Sequence, residues 1–205
     1  MKQRLLSFFW LIPLAVLYMT NNLIFCLFPI VLLGYYEIIF HGQAVKHMLL
    51  AIVHMSGLFF LMQMTEETIW YNILIVVSND VAAYIGGRYL LPSGSLLRAK
   101  IFPKVSPNKT IGGFIIGIIF SVIVGFVYCY LFSWSMIWVV LSLITALLAV
   151  AGDYYESLFK RKSHIKDSGQ QLFSGKLLPG HGGVYDRFDA LAFSAPFVWL
   201  FSLFF

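Results

Sequence analysis

Polar side chains gather in a few places along this otherwise apolar chain, and the densest gathering has the makings of a cation-assisted phosphate site. It begins with Gly152-Asp153-Tyr154-Tyr155-Glu156-Ser157-Leu158-Phe159-Lys160-Arg161 and continues through Lys166-Asp167-Ser168-Gly169. It ends with Pro179-Gly180-His181-Gly182-Gly183-Val184-Tyr185-Asp186-Arg187-Phe188-Asp189. On a helix, Asp153, Glu156 or Ser157, and Lys160 share a face, and Asp186 and Asp189 stand three residues apart on another. Carboxylates converging beside apolar segments need compensation, because uncompensated charge near lipid is costly. A hard divalent cation is one way to supply it; the competing reading is a solvated loop whose charges pair with one another for topology and solubility. Mg²⁺ takes oxygen ligands and bridges one or two carboxylates to substrate phosphates. Neighbouring Lys and Arg side chains suit the remaining phosphate oxygens, Arg by bidentate contact. The glycines around His181 let backbone approach a phosphate closely and offer amide donors. In that setting His181 is expected to contact phosphate or carry a proton.

A second constellation is Ser78-Asn79-Asp80, then Tyr84, Gly86-Gly87 and Arg88. Asp80 lies inside an apolar run, about two turns from its polar end, and an intramembrane carboxylate is by default a functional candidate. The competing role is a structural partner for Arg88 or for a hydroxyl on another helix. A third group, Ser106-Pro107-Asn108-Lys109-Thr110-Ile111-Gly112-Gly113, sets hydroxyls and an ammonium at the start of a new helix. Helix-terminal amides pointing the same way make this an anion-binding entry, although Ser and Thr also simply cap helices. It is not a Walker A loop, since the Gly-x4-Gly-Lys order is absent.

The elements that must hold these groups are membrane helices. Of the 205 residues, 60% are hydrophobic and 11% charged, against about 25% charged in a soluble domain. Aromatic residues make up 18%, as suits lipid-facing and interfacial positions. A span needs about 20 apolar residues. The segments that qualify are 5–20, 23–40, 47–64, 69–87, 111–132, 135–152 and 188–205. The expected fold is therefore all-α, a polytopic transmembrane protein of about seven spans with a cytoplasmic N-terminus. With that orientation all 14 Lys and Arg residues fall on the cytoplasmic side, as the positive-inside rule requires. The net charge of +5 is then a topological signal and not a nucleic-acid surface.

One membrane domain, 1–205, is expected to carry two cytoplasmic segments, 88–110 and 153–187, that form the active site. The basic start Met1-Lys2-Gln3-Arg4 leads into the first span and is not read as a cleaved leader, because Pro13 interrupts the run and no small-x-small site follows. Cys26 and Cys129 lie in apolar segments with no metal or disulfide spacing.

The residues from Ser157 to Asp189 resemble the signature of phosphatidate cytidylyltransferases, the CDP-diglyceride synthetases. The matching pattern is Ser157-x-Phe159-Lys160-Arg161-x4-Lys166-Asp167-x-Gly169, then His181-Gly182-Gly183-x2-Asp186-Arg187-x-Asp189. Asn79-Asp80 with Tyr84 and Gly87, and Ser106-Pro107-x-Lys109-Thr110, are similar to that family's upstream motif. Lys2-Gln3-Arg4 and Tyr36-Glu37 also fall where the family has a basic start and an aromatic-acidic pair. Two departures are a long connector between Gly169 and Pro179, and Gly112 in place of an acidic or amide side chain.

The resemblance implies CTP and phosphatidic acid as substrates at a bilayer surface, Mg²⁺ dependence with room for a second ion, and a site facing the cytoplasm of a bacterial inner membrane. It assigns metal binding to Asp153, Asp186 and Asp189. Lys166, Asp167, His181 and Arg187 would act at the reacting phosphates. Asn79, Asp80, Ser106, Lys109, Thr110, Lys160, Arg161, Gly182 and Gly183 would bind substrate. A homodimer is left open. The reaction implied is attack of a phosphatidate oxygen on the α-phosphorus of CTP with loss of pyrophosphate. Its rivals are a CTP-dependent polyprenol or phytol kinase, which would transfer the γ-phosphoryl group, and a non-enzymatic transporter of an anionic solute.

Overall fold

The computed structural model describes residues 23–42, 45–92, 94–169 and 183–205. The first expected span, 5–20, and the candidate residues His181 and Gly182 lie outside the described residues. Within them the chain forms helices α1 (Leu23–His41), α2 (Val45–Ser56), α3 (Glu66–Ile85), α4 (Ile111–Leu131), α5 (Ile137–Lys162) and α6 (Tyr185–Ser202). The 3-10 segment Gly57–Gln63 prolongs α2, and a π turn at Gly86–Leu90 prolongs α3. Between α3 and α4 a 3-10 turn, Leu96–Arg98, leads into a small antiparallel hairpin of β1 (Lys100–Phe102) and β2 (Ser106–Thr110). Lys100 pairs with Thr110, and Phe102 with Ser106.

The protein is a polytopic helical membrane protein. Four helical stretches are long and apolar enough to cross a bilayer: Val45–Gln63, Glu66–Leu90, Ile111–Leu131 and Ile137–Lys162. Of the expected spans 23–40 and 188–205, the first corresponds to a shorter apolar helix, Leu27–His41. The second forms α6, which is helical but outside the four.

Local sequence explains where the helices start. Thr65 caps α3 by accepting from the Thr68 amide at 3.3 Å, and Glu66 and Glu67 follow in its first turn, where negative charge complements the helix dipole. Thr110 caps α4 through the Gly113 amide at 3.1 Å. That cap fixes the hairpin to the helix, so β2 delivers its side chains to the head of α4.

Packing is set by small residues on α4. Gly113, Gly117, Ser121 and Gly125 recur every four residues and are all buried. A side chain added at Gly117 would run into the Asn79 carbonyl and side chain and into Ala83 of α3. The two backbones can touch only because it is absent, as in other membrane helix pairs. The opposite face of α4 carries the half-exposed Ile119, Phe120, Ile123 and Phe126, which suit lipid.

Two apolar clusters form the core. One joins α1, α2 and α6 through Ile38, Met55, Leu58, Tyr185, Ala192 and Ala195. The other joins α3, α4, α5 and α6 through Tyr71, Ile75, Tyr128, Trp138, Leu141 and Val198. Helix α6 contributes to both and is the common wall of the molecule.

Candidate active site

Asp153 and Glu156 stand three residues apart on the polar end of α5, so both face α6, where Asp189 lies one turn from the helix start. One carboxylate oxygen from each of Asp153, Glu156 and Asp189 lies within 4.8 Å of the others. Glu156 is 1% exposed and Asp189 7%, so water does little to screen them. Were all three ionised, like charges at that separation would repel by at least roughly 3 kcal/mol per pair at an effective dielectric of about 20. Part of this is offset within the protein. Lys109, carried on β2, forms an ion pair with Asp153, and Lys160 lies 2.6 Å from Glu156. Asp189 is in no salt bridge among the described residues. Ser157 adds its hydroxyl, donating to Asp153 and Glu156, each at 3.4 Å.

Asp186 faces a different set of groups. It accepts from the Ser168 amide at 3.0 Å and the Gly183 amide at 2.9 Å, and Lys160 reaches it at 3.3 Å. Burial pushes its carboxyl upward, but a hydrogen bond with Glu156, the Lys160 ammonium and the two amides outweigh that and hold it below the usual carboxylate value. Lys160 thus links Asp186 to the three-carboxylate cluster. Lys166 and Asp167 lie in the described segment after α5, and Arg187 in the first turn of α6.

Beside the cluster opens a cavity of about 640 Å³ between α3, the hairpin, α4 and α5. Its wall holds Asn79 and Asp80 from α3, Ser106, Lys109 and Thr110 from β2, and Asp153 from α5. Arg88, Arg98 and Lys100 also line it, so four cationic side chains meet two carboxylates. An anion is the complementary occupant. The π turn carries Arg88, whose guanidinium carbon sits 6.0 Å from the Tyr84 ring centre and 5.7 Å from that of Tyr89, within cation–π range. Arg98 is held by donating to the Leu91 carbonyl. Arg161 donates to the Val105 carbonyl at 3.1 Å, tying the end of α5 to the hairpin. Asn79 is buried to 1% exposure with neither amide atom hydrogen-bonded within the protein.

The structure therefore brings Asn79, Asp80, Ser106, Lys109, Thr110 and Asp153 to one cavity, and Lys160, Gly183 and Asp186 to an adjoining polar group. Besides the cavity-lining Arg98 and Lys100, three residues at or beside this site carry little or no signal in the sequence. Glu156 shares its candidate face with Ser157, and its spacing from Asp153 carries the signal. Glu37 is fully buried, and its carboxylate accepts from the Ser168 hydroxyl and from the amides of Val184 and Tyr185. Its signal was an acid within an apolar helix, the same one that marked Asp80.

His54 of α2 is the third. Its Nε2 lies 2.7 Å from the Asp189 carbonyl, which can only accept, so Nε2 carries the proton. In the neutral ring Nδ1 then accepts from the Tyr185 hydroxyl at 2.9 Å. Two hydrogen bonds from outside α6 thereby steady its first turns.

Comparison with known proteins supports a functional assignment. The family model described as "Cytidylyltransferase family" matches residues 66–205. The chain is 39% identical to a phosphatidate cytidylyltransferase of Helicobacter pylori over 129 residues, 62% of this chain and 43% of that protein. It is 35% identical to the Bacillus subtilis phosphatidate cytidylyltransferase over 140 residues, 66% of this chain and 48% of the relative. The Haemophilus influenzae enzyme of the same name is 35% identical over 141 residues, 65% and 45% of the two chains. The chain spans about half the length of the curated relatives it matches.

Proposed function

The chain belongs to the cytidylyltransferase family, and from that premise we propose that it transfers CMP from CTP to phosphatidic acid, giving CDP-diacylglycerol and pyrophosphate. The observation that carries this reading is the juxtaposition of a cation-lined cavity with buried carboxylates from α5 and α6. The relatives named above supply the choice of substrates.

The donor set fits a hard divalent cation. Three oxygen-bearing side chains converge, Glu156 and Asp189 buried and Asp153 part-exposed, and Asp189 has no ammonium or guanidinium within salt-bridge distance among the described residues. Asp153, Glu156 and Asp189 would hold Mg²⁺, with Asp186 anchoring Lys160 beside them. When bound, Mg²⁺ would neutralise phosphate charge and stabilise the leaving oxygen; a second ion is compatible with the acidic groups nearby.

The remaining work falls to this chain's own side chains. Lys109, Lys100, Arg98 and Arg88 surround the cavity and would gather the triphosphate of CTP, with the Ser106 and Thr110 hydroxyls adding donors. Asn79 offers an unpaired amide to the same ligand. Lys160, Lys166 and Arg187 would steer the lipid phosphate, and Asp167 and His181 are proposed to assist at the reacting phosphates. A phosphatidate oxygen attacks the α-phosphorus, the bond to the bridging oxygen breaks, and pyrophosphate departs with that electron pair. A phosphate monoester is largely ionised at neutral pH, so positioning and charge neutralisation suffice and no strong base is needed. The lipid would enter sideways from the bilayer, and CTP from the cytoplasmic side of a bacterial inner membrane. In the seven-span arrangement with a cytoplasmic N-terminus all 14 basic residues fall on that side, which supports the orientation.

The purified protein with CTP, Mg²⁺ and phosphatidate tests the proposal. Stoichiometric CDP-diacylglycerol and pyrophosphate are expected. In a parallel reaction with a polyprenol in place of phosphatidate, release of CDP with a phosphorylated polyprenol would identify a lipid kinase instead, and the absence of product in both reactions would refute the enzyme reading.

A further inference from the structure

Helix α1 lies before the segment that matches the family, 66–205, yet it sends one charged side chain into the polar end of the molecule. Glu37 is 0% exposed. Its Oε1 accepts from the Val184 amide at 2.8 Å, and its Oε2 accepts from the Tyr185 amide at 2.9 Å and the Ser168 hydroxyl at 2.6 Å. The first two donors are the orphan amides at the head of α6, which a carboxylate satisfies best. The third comes from the segment after α5. Ser168 turns its own amide toward Asp186 at 3.0 Å, and Gly183 does the same at 2.9 Å. One carboxylate therefore holds both strands of chain that grip Asp186, and it holds the helix that carries Asp189. The fit is tight: any side chain on Gly183 would collide with Glu37 Oε2 and Ser168 Oγ.

We propose that Glu37 is a positioning residue that sets the head of α6, and with it Asp186 and Asp189, relative to the α5 carboxylates Asp153 and Glu156. It touches neither substrate nor cation. The inference rests on the metal-assisted reading above and adds that α1, outside the matched segment, is a working part of the site. A plain structural glutamate would affect stability alone. A positioning residue also changes cation affinity, because a shift in α6 separates oxygens that must converge on one ion.

Glu37→Gln is the decisive variant, since it conserves shape but replaces one acceptor oxygen by an NH₂ group. In either amide orientation that NH₂ faces a backbone N–H. The readouts are Mn²⁺ affinity of the full chain in detergent, followed by paramagnetic resonance, and separate kcat and KM values for CTP and phosphatidate. Glu37→Gln is expected to weaken Mn²⁺ binding about 10–100-fold, the range for residues that orient ligands from behind. A fall in kcat of similar size is expected, together with a higher KM for phosphatidate, because Arg187 and the Asp186-bound Lys160 move with the head of α6. Ser168→Ala, which removes only the hydroxyl bond, should move Mn²⁺ affinity the same way by a smaller factor.

Wild-type Mn²⁺ affinity in a folded Glu37→Gln overturns the proposal. Should Glu37→Gln not fold, wild-type affinity in Ser168→Ala overturns it equally, and so does a wild-type protein that binds no Mn²⁺. A wild type that binds Mn²⁺ without forming CDP-diacylglycerol would remove the proposed reaction only. The positioning role would then stand or fall on the affinity shift.

Discussion

Asp189 shows how a side chain can be costly to the fold and still suited to a purpose. It is buried beside two other carboxylates, and its nearest relief is indirect: Lys109 is paired with Asp153, and Lys160 with Glu156 and Asp186. An arrangement of this kind loses stability in the absence of a cation and regains it by binding one. Asp189→Asn should therefore split two properties that usually fall together. Turnover is expected to drop by more than about 100-fold, beyond the range for a residue acting through a ligand. The melting temperature measured in EDTA should stay level or rise, because one repelling charge has gone. Added Mg²⁺ should raise the melting temperature of the wild type more than that of the variant. A parallel loss of stability and activity in EDTA would show that Asp189 serves the fold and not a cation.

At the scale of elements, the site depends on how closely three helices approach. Helix α4 presents glycine or serine at every fourth position toward its neighbours, and Thr110 at its head joins it to the hairpin that carries Lys109. A shift between α3 and α4 would move Asn79 and Asp80 away from the hairpin side chains across the cavity. Gly117→Val is the direct probe, because the new side chain would overlap Asn79 and Ala83. Overpacking of this kind costs about 1–3 kcal/mol, measurable by unfolding in detergent. KM for CTP should rise along with the loss of stability. Gly117→Ala is expected to give a smaller effect in the same direction. Periodic glycines on an apolar helix point in sequence to a helix interface, but not to which helix lies opposite. The hairpin is less legible still: 88–110 reads in sequence as a polar loop, since its strands are short and Lys, Asn and Pro are poor strand formers.

At the scale of the whole molecule, every polar group of the site lies at one end of the helix bundle. The ends of α1, α3 and α5 and the heads of α4 and α6 meet there. The opposite end holds an aromatic cluster in which Tyr71 donates to the Trp138 carbonyl at 2.5 Å and Tyr128 to the Glu67 carbonyl at 2.8 Å. Trp134 lies against Tyr71, Tyr128 and Trp138. Rings with a polar handle settle at a membrane–water boundary, so the two ends suit the two faces of a bilayer. Single cysteines on a background lacking Cys26 and Cys129 would test the orientation. Cysteine at Asn108 should react with a membrane-impermeant maleimide only after the cytoplasmic face is opened, and cysteine at Glu66 in intact cells. The reverse pattern would invert the topology.

The sequence by itself determined the class of this protein, a polytopic helical membrane protein, and the few segments into which its polar side chains gather. Hydropathy, charge asymmetry and residue spacing are local properties, written along the chain and independent of which helices touch. It also named most of the residues that meet around the cavity, because motif spacing places them at the helix ends facing one side. Tertiary structure decided the partners. Glu156 is grouped with Asp153 and Asp189, while Asp186 is taken up by the amides of Ser168 and Gly183. Glu37 and His54 reach α6 from 148 and 131 residues away in sequence. Contacts across such separations depend on helix rotation and packing, which no local pattern encodes. For a buried carboxylate, the partner it finds decides whether it binds an ion or holds a helix in place.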